Sequence, residues 1–441
     1  MTAIESFVTH RADESTVRGL PPGPKLPKLL QSVLYLTAGH YVVPRWRRRY
    51  GDVFAVHIAP AGHAVVLTRP EHIREVFAGP ADVFHAGEGN AILGPIMGEH
   101  SVLLLDEDAH KASRKKVMAA FRGESIKSWG AVVEQVAADD IEVWPVGKPF
   151  AVHQHLNDIS LEVILRVVFG LTDDARLAEM SPLLQRLIRI GPTIFIGWMY
   201  PVLDKVGPWR AFVQLKAHVD DLIYAEINDR REVPDLADRT DVLSKLLVAD
   251  PSQTDAELRD HLVTLLLAGH ETTASTLAWT FHDLARNPEV LARVQRAADE
   301  DDEAYLEATV KESMRLRPVI ANVARRLTKP VTVAGYDLPA GVVVFPSIEL
   351  VHHREDVWDA PKQFRPERFL GHNPPPATWI PFGGGLRRCL GASLATVEAV
   401  AVLKTVLKAV DITPVGAPEV SKKRNVTTVP ARGARIVSSP R

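Results

Sequence analysis

One stretch constrains the fold more than any other: a helical pattern from about Asp255 to Arg286, long enough to cross a domain. Thr254 and Glu257 have capping-box spacing at its start, and Asn287-Pro288 marks its stop. A chain of 441 residues with 46% hydrophobic side chains can bury a large core around such an element. The middle of the helix, LLLAGHETTAST, is odd for a buried segment. Gly269 costs about 1 kcal/mol relative to alanine and the threonines compete for backbone carbonyls, so a local kink or groove is expected there.

Most of the remaining sequence also has helical spacing, including HKASRKKVMAAF, LNDISLEVILRVVFG, AFVQLKAHVDDLIYAEINDR and TVEAVAVLKTVLKAV. Two strand pairs stand out: VFAVHI with AVVLT across PAGH, and VTVAG with GVVVFPS across YDLPA. No repeat or long linker divides the chain. The expected fold is mainly α with a small β region, as one domain over residues 20–441 behind a flexible tail over residues 1–19. That tail is polar and charged, unlike a signal peptide or membrane anchor, and the apolar run after LPPGPK is too short and interrupted to span a bilayer. A soluble, cytoplasmic protein is expected. A formal net charge of -2 gives no global attraction to nucleic acid or anionic membranes, so any basic docking surface must be local.

The single cysteine, Cys389, excludes an intramolecular disulfide and a multi-cysteine metal site. It lies in FGGGLRRCLG, directly before a helical pattern. A lone intracellular cysteine is by default a small buried hydrophobe. Here Gly383, Gly384 and Gly385 allow tight turns, Arg387 and Arg388 add positive charge, and the next helix offers its N-terminal dipole, all of which favour a thiolate. Such a sulfur could act as a nucleophile, or bind one metal centre whose other ligands come from a cofactor.

The pattern F-x-x-G-x-R-x-C-x-G, carried by Phe382, Gly385, Arg387, Cys389 and Gly391, resembles the haem-binding signature of the cytochrome P-450 family. The resemblance implies the cytochrome P-450 fold, with haem b (iron protoporphyrin IX) between the long central helix and the cysteine-loop helix. Cys389 would be the axial ligand to haem iron. Phe382 would pack beside the ring and sulfur, Gly391 would let the helix approach the porphyrin, and Arg387 would reach a propionate. Glu312 and Arg315 in KESMRLRP resemble the family's E-x-x-R pair, and Arg368 in PERF its third partner in a buried network. The spacing alone is weak, since Glu71 and Arg74 share it and an ordinary i,i+3 surface pair contributes only a few tenths of a kcal/mol. AGHETT, Ala268 to Thr273, resembles the acid–alcohol segment of the oxygen-binding helix. Thr272 would hydrogen-bond dioxygen, Glu271 would relay protons, and Ala268 and Gly269 would leave room for haem and oxygen.

Further propionate partners implied by the resemblance are His110, Arg114 and Arg325, with Arg326 as the alternative to Arg325; tryptophan is commoner than histidine at the first position. Lys111, Lys115 and Lys116, with Arg388, form either a solvated charge run or a docking face for a ferredoxin or flavodoxin-type donor. With no flavin domain in the chain, electrons would come from NAD(P)H through a separate reductase and ferredoxin. The implied substrate segments, AILGPIMGEHSVLLL, IGPTIFIGWMYPVL and PVIANVA, are largely apolar. They point to a lipophilic terpenoid, steroid or fatty acyl substrate, hydroxylated at carbon with O2. Alternatives are a haem-thiolate peroxygenase or isomerase and, from other classes, a cysteine hydrolase or a non-catalytic haem sensor.

Overall fold

A computed structural model describes residues 19–121, 125–188, 194, 198, 201–424 and 426–441. The tail expected over residues 1–19 lies outside these, apart from Gly19. The chain begins with α1 (Lys28–Tyr50), β1 (Val53–Ile58), β2 (Gly62–Leu67), α2 (Pro70–Ala78) and β3 (Phe84–His85). There follow α3 (Gly94–Met97), α4 (Glu107–Ala120), α5 (Ser125–Ile141), β4 (Phe150–Ala151), α6 (Val152–Val167) and α7 (Asp174–Ile188). Then come α8 (Gly207–Arg231), α9 (Val242–Ala249), α10 (Asp255–Leu284), α11 (Pro288–Asp299) and α12 (Glu303–Leu316). Four short strands, β5 (Arg325–Leu327), β6 (Val331–Val333), β7 (Tyr336–Leu338) and β8 (Val343–Pro346), lead to α13 (Ile348–His352). The C-terminal part comprises α14 (Ala392–Ala409), β9 (Val410–Pro414), β10 (Ser421–Arg424), β11 (Thr427–Pro430) and β12 (Arg435–Pro440).

Helix α10 is the axis of the molecule, packed against α6, α12 and α14. Its capping box forms as the spacing predicts: Thr254 Oγ1 accepts from the Glu257 amide at 3.2 Å, and the Glu257 carboxylate accepts from the Thr254 amide at 2.9 Å. From Leu258 to Leu284 every residue is buried except Leu267, Ala268, Gly269 and Thr272. The expected kink does not form, and the α-helix runs unbroken through Gly269 and Thr272. Gly269 serves packing instead. A Cβ there would stand 2.8 Å from Cδ1 of Ile164, so its absence lets α10 and α6 approach closely.

The main sheet has the order β1-β2-β8-β5-β3, with β8 parallel to β2 and the other pairs antiparallel. The hairpin of β1 and β2 is the one expected from VFAVHI and AVVLT. The second expected pairing is corrected. VTV pairs with YDL, read from the sequence as turn, to make the hairpin β6–β7, and β8 joins the main sheet instead. Ala334 and Gly335, at φ 52° and 80°, close that hairpin in two residues. Strand β8, buried along most of its length, finds apolar cover only between β2 and β5.

Candidate active site

The loop before α14 is shaped by its glycines. Gly383 and Gly385 adopt left-handed φ of 65° and 64°, and a Cβ on Gly384 would stand 2.2 Å from the Phe77 ring. The Cys389 amide closes the loop by donating to the Phe382 carbonyl at 2.9 Å, and Arg114 Nη2 donates to the Arg388 carbonyl at 2.7 Å. Phe382 is half-buried beside Trp379, with ring centroids 6.0 Å apart. The Cys389 side chain is accessible. Yet the protein around it desolvates the sulfur enough to push its pKa up, against the lowering effects of the Gly391 amide, Arg388 and Arg114. Without a metal on the sulfur, desolvation outweighs the nearby charges that favour a thiolate. A neutral thiol is a poor nucleophile, which weakens the hydrolase reading, whereas a metal deprotonates a coordinating thiol outright.

Next to this loop lies a recess lined by Phe77, Glu107, His110, Lys111, Arg325, Gly384 and Arg387. Arg325 is 6% exposed and has no ion pair among the described residues; burial first, then the Arg387 charge, pushes its pKa down to about 10. Its side chain donates to the Ala324 carbonyl at 2.7 Å. Arg326 does not line the recess and donates to the Gly341 carbonyl at 3.1 Å, which distinguishes the two neighbours. Arg387 pairs with Asp106 and donates to the carbonyls of Val102 and Leu105. Asp106 already accepts from the amides of Ala86, Gly87 and Glu88. Burial, followed by Arg387, Arg114, Arg325 and Lys111, pushes His110 down to about 3, so it is a neutral donor. The other carboxylate of the recess, Glu107, is 2.9 Å from His85 Nε2.

On α10 the accessible residues Ala268 and Thr272 are one turn apart. Thr272 Oγ1 donates to the Ala268 carbonyl at 2.7 Å. Glu271 is buried beneath them, and burial pushes its pKa up against the lowering effects of Arg424 and Thr427. Its Oε1 is 2.9 Å from Arg424 Nε, at the end of β10. Sequence reasoning missed Arg424, because the two lie more than a hundred residues apart and no motif joins them.

The E-x-x-R pair is fully buried. Arg315 donates to Glu312 at 2.7 and 2.8 Å and to the carbonyls of His352, Pro361 and Gln363 at 2.9, 2.8 and 3.2 Å. Arg368 Nε reaches Glu312 at 3.3 Å, and the Arg365 amide donates to the same carboxylate at 2.9 Å. Glu71, by contrast, pairs with Arg69 on the surface, although Arg74 stands at the matching spacing.

Of the basic residues read as a docking face, Lys115 and Arg388 are exposed. Lys111 pairs with Asp108 at 2.9 Å and Lys116 with Asp250 at 2.8 Å, so the patch is less positive than its sequence. Of the apolar segments, Ile96 and Met97 belong to the core and Val319 to Ala324 are partly buried. IGPTIFIGWMYPVL lies mostly outside the described residues.

These residues fit a haem. Arg325, Arg387 and His110 line a recess whose carboxylates are already engaged, with Arg114 close enough to act on His110, so they call for an added anion, which two propionates supply. A Cβ on Gly391 would meet nothing within 4 Å, leaving space beside the thiol for a flat ligand.

A sequence profile described as cytochrome P450 matches residues 21–436. "Putative cytochrome P450 135A1" of Mycobacterium tuberculosis is 46% identical over 425 residues, covering 95% of each chain. "Putative cytochrome P450 135B1" of Mycobacterium bovis is 44% identical over 429 residues, covering 95% of this chain and 91% of that one. Among solved structures, retinoic acid bound cyanobacterial CYP120A1 superposes with a TM-score of 0.82 at 22% identity, covering 96% of this chain and all of that one. The glycine-shaped thiol loop, the cation-lined recess and this similarity along nearly the whole chain lead to one assignment: the protein belongs to the cytochrome P450 family, the haem-containing monooxygenases.

Proposed function

We propose that this monooxygenase inserts one oxygen atom from O2 into a C–H bond of a lipophilic terpenoid, steroid or fatty acyl molecule, in a cytoplasmic setting. The second oxygen leaves as water, which takes two electrons and two protons. The electrons come from NAD(P)H through a separate reductase and a ferredoxin or flavodoxin-type donor, docked near Lys111, Lys115, Lys116 and Arg388. Residues 20–441 work as one unit.

When bound, haem supplies the redox chemistry of dioxygen. Cys389 would ligate its iron; Arg325, Arg387, Arg114 and His110 would hold its propionates, and Phe382, Ala268 and Gly391 would shape the space around it. The observation that carries the reading is an accessible Ala268 and Thr272 on an otherwise buried helix, directly beside a buried acid. Thr272 directs its proton to the Ala268 carbonyl, so its oxygen lone pairs are free to accept a hydrogen bond. Glu271, with its raised pKa, holds a proton more readily than an exposed carboxyl does. Half-exposed Arg424 links that acid to the surface hairpin. The apolar composition of AILGPIMGEHSVLLL, IGPTIFIGWMYPVL and PVIANVA supports a lipophilic substrate.

The test is the absorption spectrum of the reduced, carbon-monoxide-bound protein, followed by turnover. A strongly red-shifted Soret band is expected, and is lost in Cys389→Ala. Thr272→Ala should then consume electrons and O2 while product falls about 10- to 100-fold. Unchanged product yield would assign the chain to the peroxygenase or isomerase reading, and haem binding without turnover under any reductant to the sensor. Lys115→Glu with Lys116→Glu should slow first-electron transfer at low salt while leaving substrate binding intact.

A further inference from the structure

Helix α1 carries apolar side chains on both sides and bends at Ala38, where the backbone leaves helical geometry at φ -132° and ψ 22°. Toward the protein it turns Gln31, Ser32, Tyr35, Gly39, Val43 and Trp46, all buried; toward solvent it turns Leu29, Leu30, Val33 and Leu36 before the bend and Tyr41 after it. The inner polar groups satisfy the open edge of the main sheet, where β1 is the end strand. Gln31 Oε1 accepts from the His57 amide at 2.9 Å, and Ser32 Oγ accepts from the Ala59 amide at 2.8 Å. Tyr35 Oη accepts from Asn322 Nδ2 at 2.8 Å. Polar side chains of its first half thus cap backbone amides at the sheet edge, while Tyr35, Val43 and Trp46 carry the helix's apolar burial into the core beneath.

The apolar side chains gather outside. Leu29 is 75%, Val33 56% and Leu36 54% exposed, at spacings of four and three residues that align them along one face. Single exposed leucines need no explanation, but an aligned stripe does.

Charge selects what covers it. From Gly19 to Gly51 the chain carries six cations, Lys25, Lys28, Arg45, Arg47, Arg48 and Arg49, and no aspartate or glutamate. Arg47 pairs with Asp52, while Lys25, Arg45, Arg48 and Arg49 are exposed. A second copy of this chain on the stripe would bring two acid-free cationic segments face to face, which like charges oppose. A bilayer with anionic headgroups matches both features, taking the leucines at the acyl boundary and the cations at the phosphates. We propose that α1 docks this enzyme reversibly onto an anionic lipid surface. The contact is peripheral, since no helix among the described residues is long and apolar enough to cross a membrane. The docked helix also borders the hairpin that carries Arg424: Lys423 of β10 lies 4.3 Å from the Tyr35 ring centroid.

The experiment is co-sedimentation of the haem-loaded protein with vesicles of phosphatidylcholine containing phosphatidylglycerol, or of phosphatidylcholine alone. Sedimentation with the anionic vesicles is expected. Leu29→Gln, Val33→Gln and Leu36→Gln together should weaken it about tenfold or more with little change in melting temperature, because these side chains are exposed. Arg45→Glu with Arg48→Glu should weaken binding to anionic vesicles and restore a neutral-vesicle level. No sedimentation with anionic vesicles at low salt overturns the proposal. Binding that the glutamine variant leaves unchanged overturns the apolar docking. A lipid-free dimer that this variant dissociates assigns the stripe to a second copy and overturns the lipid surface.

Discussion

Two of the arginine clusters in this molecule, one around Glu312 and one around His110, are resolved in opposite ways. Around Glu312, each of the five N–H donors of Arg315 has an acceptor, and the carboxylate accepts in addition from Arg368 and the Arg365 amide. Around His110, Arg325 and Arg387 face one another across a recess, Arg387 held by an already engaged Asp106 and Arg325 with no ion pair among the described residues. A closed cluster is architecture. An open one is a binding site waiting for charge, and the difference is visible only when each donor is followed to its acceptor.

The largest effect should come from breaking the closed cluster. Arg315→Met strands Glu312 as an uncompensated buried charge and should cost about 3–5 kcal/mol in denaturant unfolding, with haem or without it. Stability within error of the parent would remove the architectural reading. Second comes a carboxyl buried with no cation at all, Glu398 beside Ser160, whose pKa burial pushes up to about 8 from 4.5. Between those values the folded chain holds a proton that the unfolded chain has released, so stability falls as pH rises across that window. Glu398→Gln should abolish the slope and raise stability at pH 8 by about 2–4 kcal/mol, read from melts at several pH values.

Opening the recess further sharpens the contrast. Arg325→Met should leave the haem-free protein as stable as before or more so, since it removes a desolvated cation. Haem affinity should fall by about 1.5–3 kcal/mol, roughly 10- to 100-fold, in a haem titration. A fall in haem-free stability instead would make Arg325 structural. The smallest effect belongs to Glu71→Ala, a surface carboxylate with the E-x-x-R spacing: less than about 0.5 kcal/mol in the same melts.

That last pair shows how far a motif is legible. Glu71 and Arg74 have the same spacing as Glu312 and Arg315, and α2 carries them on the surface while α12 buries its pair against the carbonyls of Pro361 and Gln363. PERF, some fifty residues on, was the signal that separated them. The thiol loop was legible because its glycines answer a local demand for left-handed backbone. The protonation of the thiol was not, because it depends on how much protein closes over the sulfur.

By itself the sequence determined the long helix α10 with its capping box, the helical stretches around it, the β1–β2 hairpin, the thiol loop and the family. These rest on interactions within a few residues, or on a motif read as a string. Tertiary structure alone decided that Arg325 and not Arg326 enters the recess, that Glu271 meets Arg424, that β8 joins β2, and that α1 turns its leucines outward. Each of these is a long-range choice, made by which surfaces bury one another and which buried polar groups must then find partners. Side-chain spacing fixes which residues share a face, and only packing fixes where that face points.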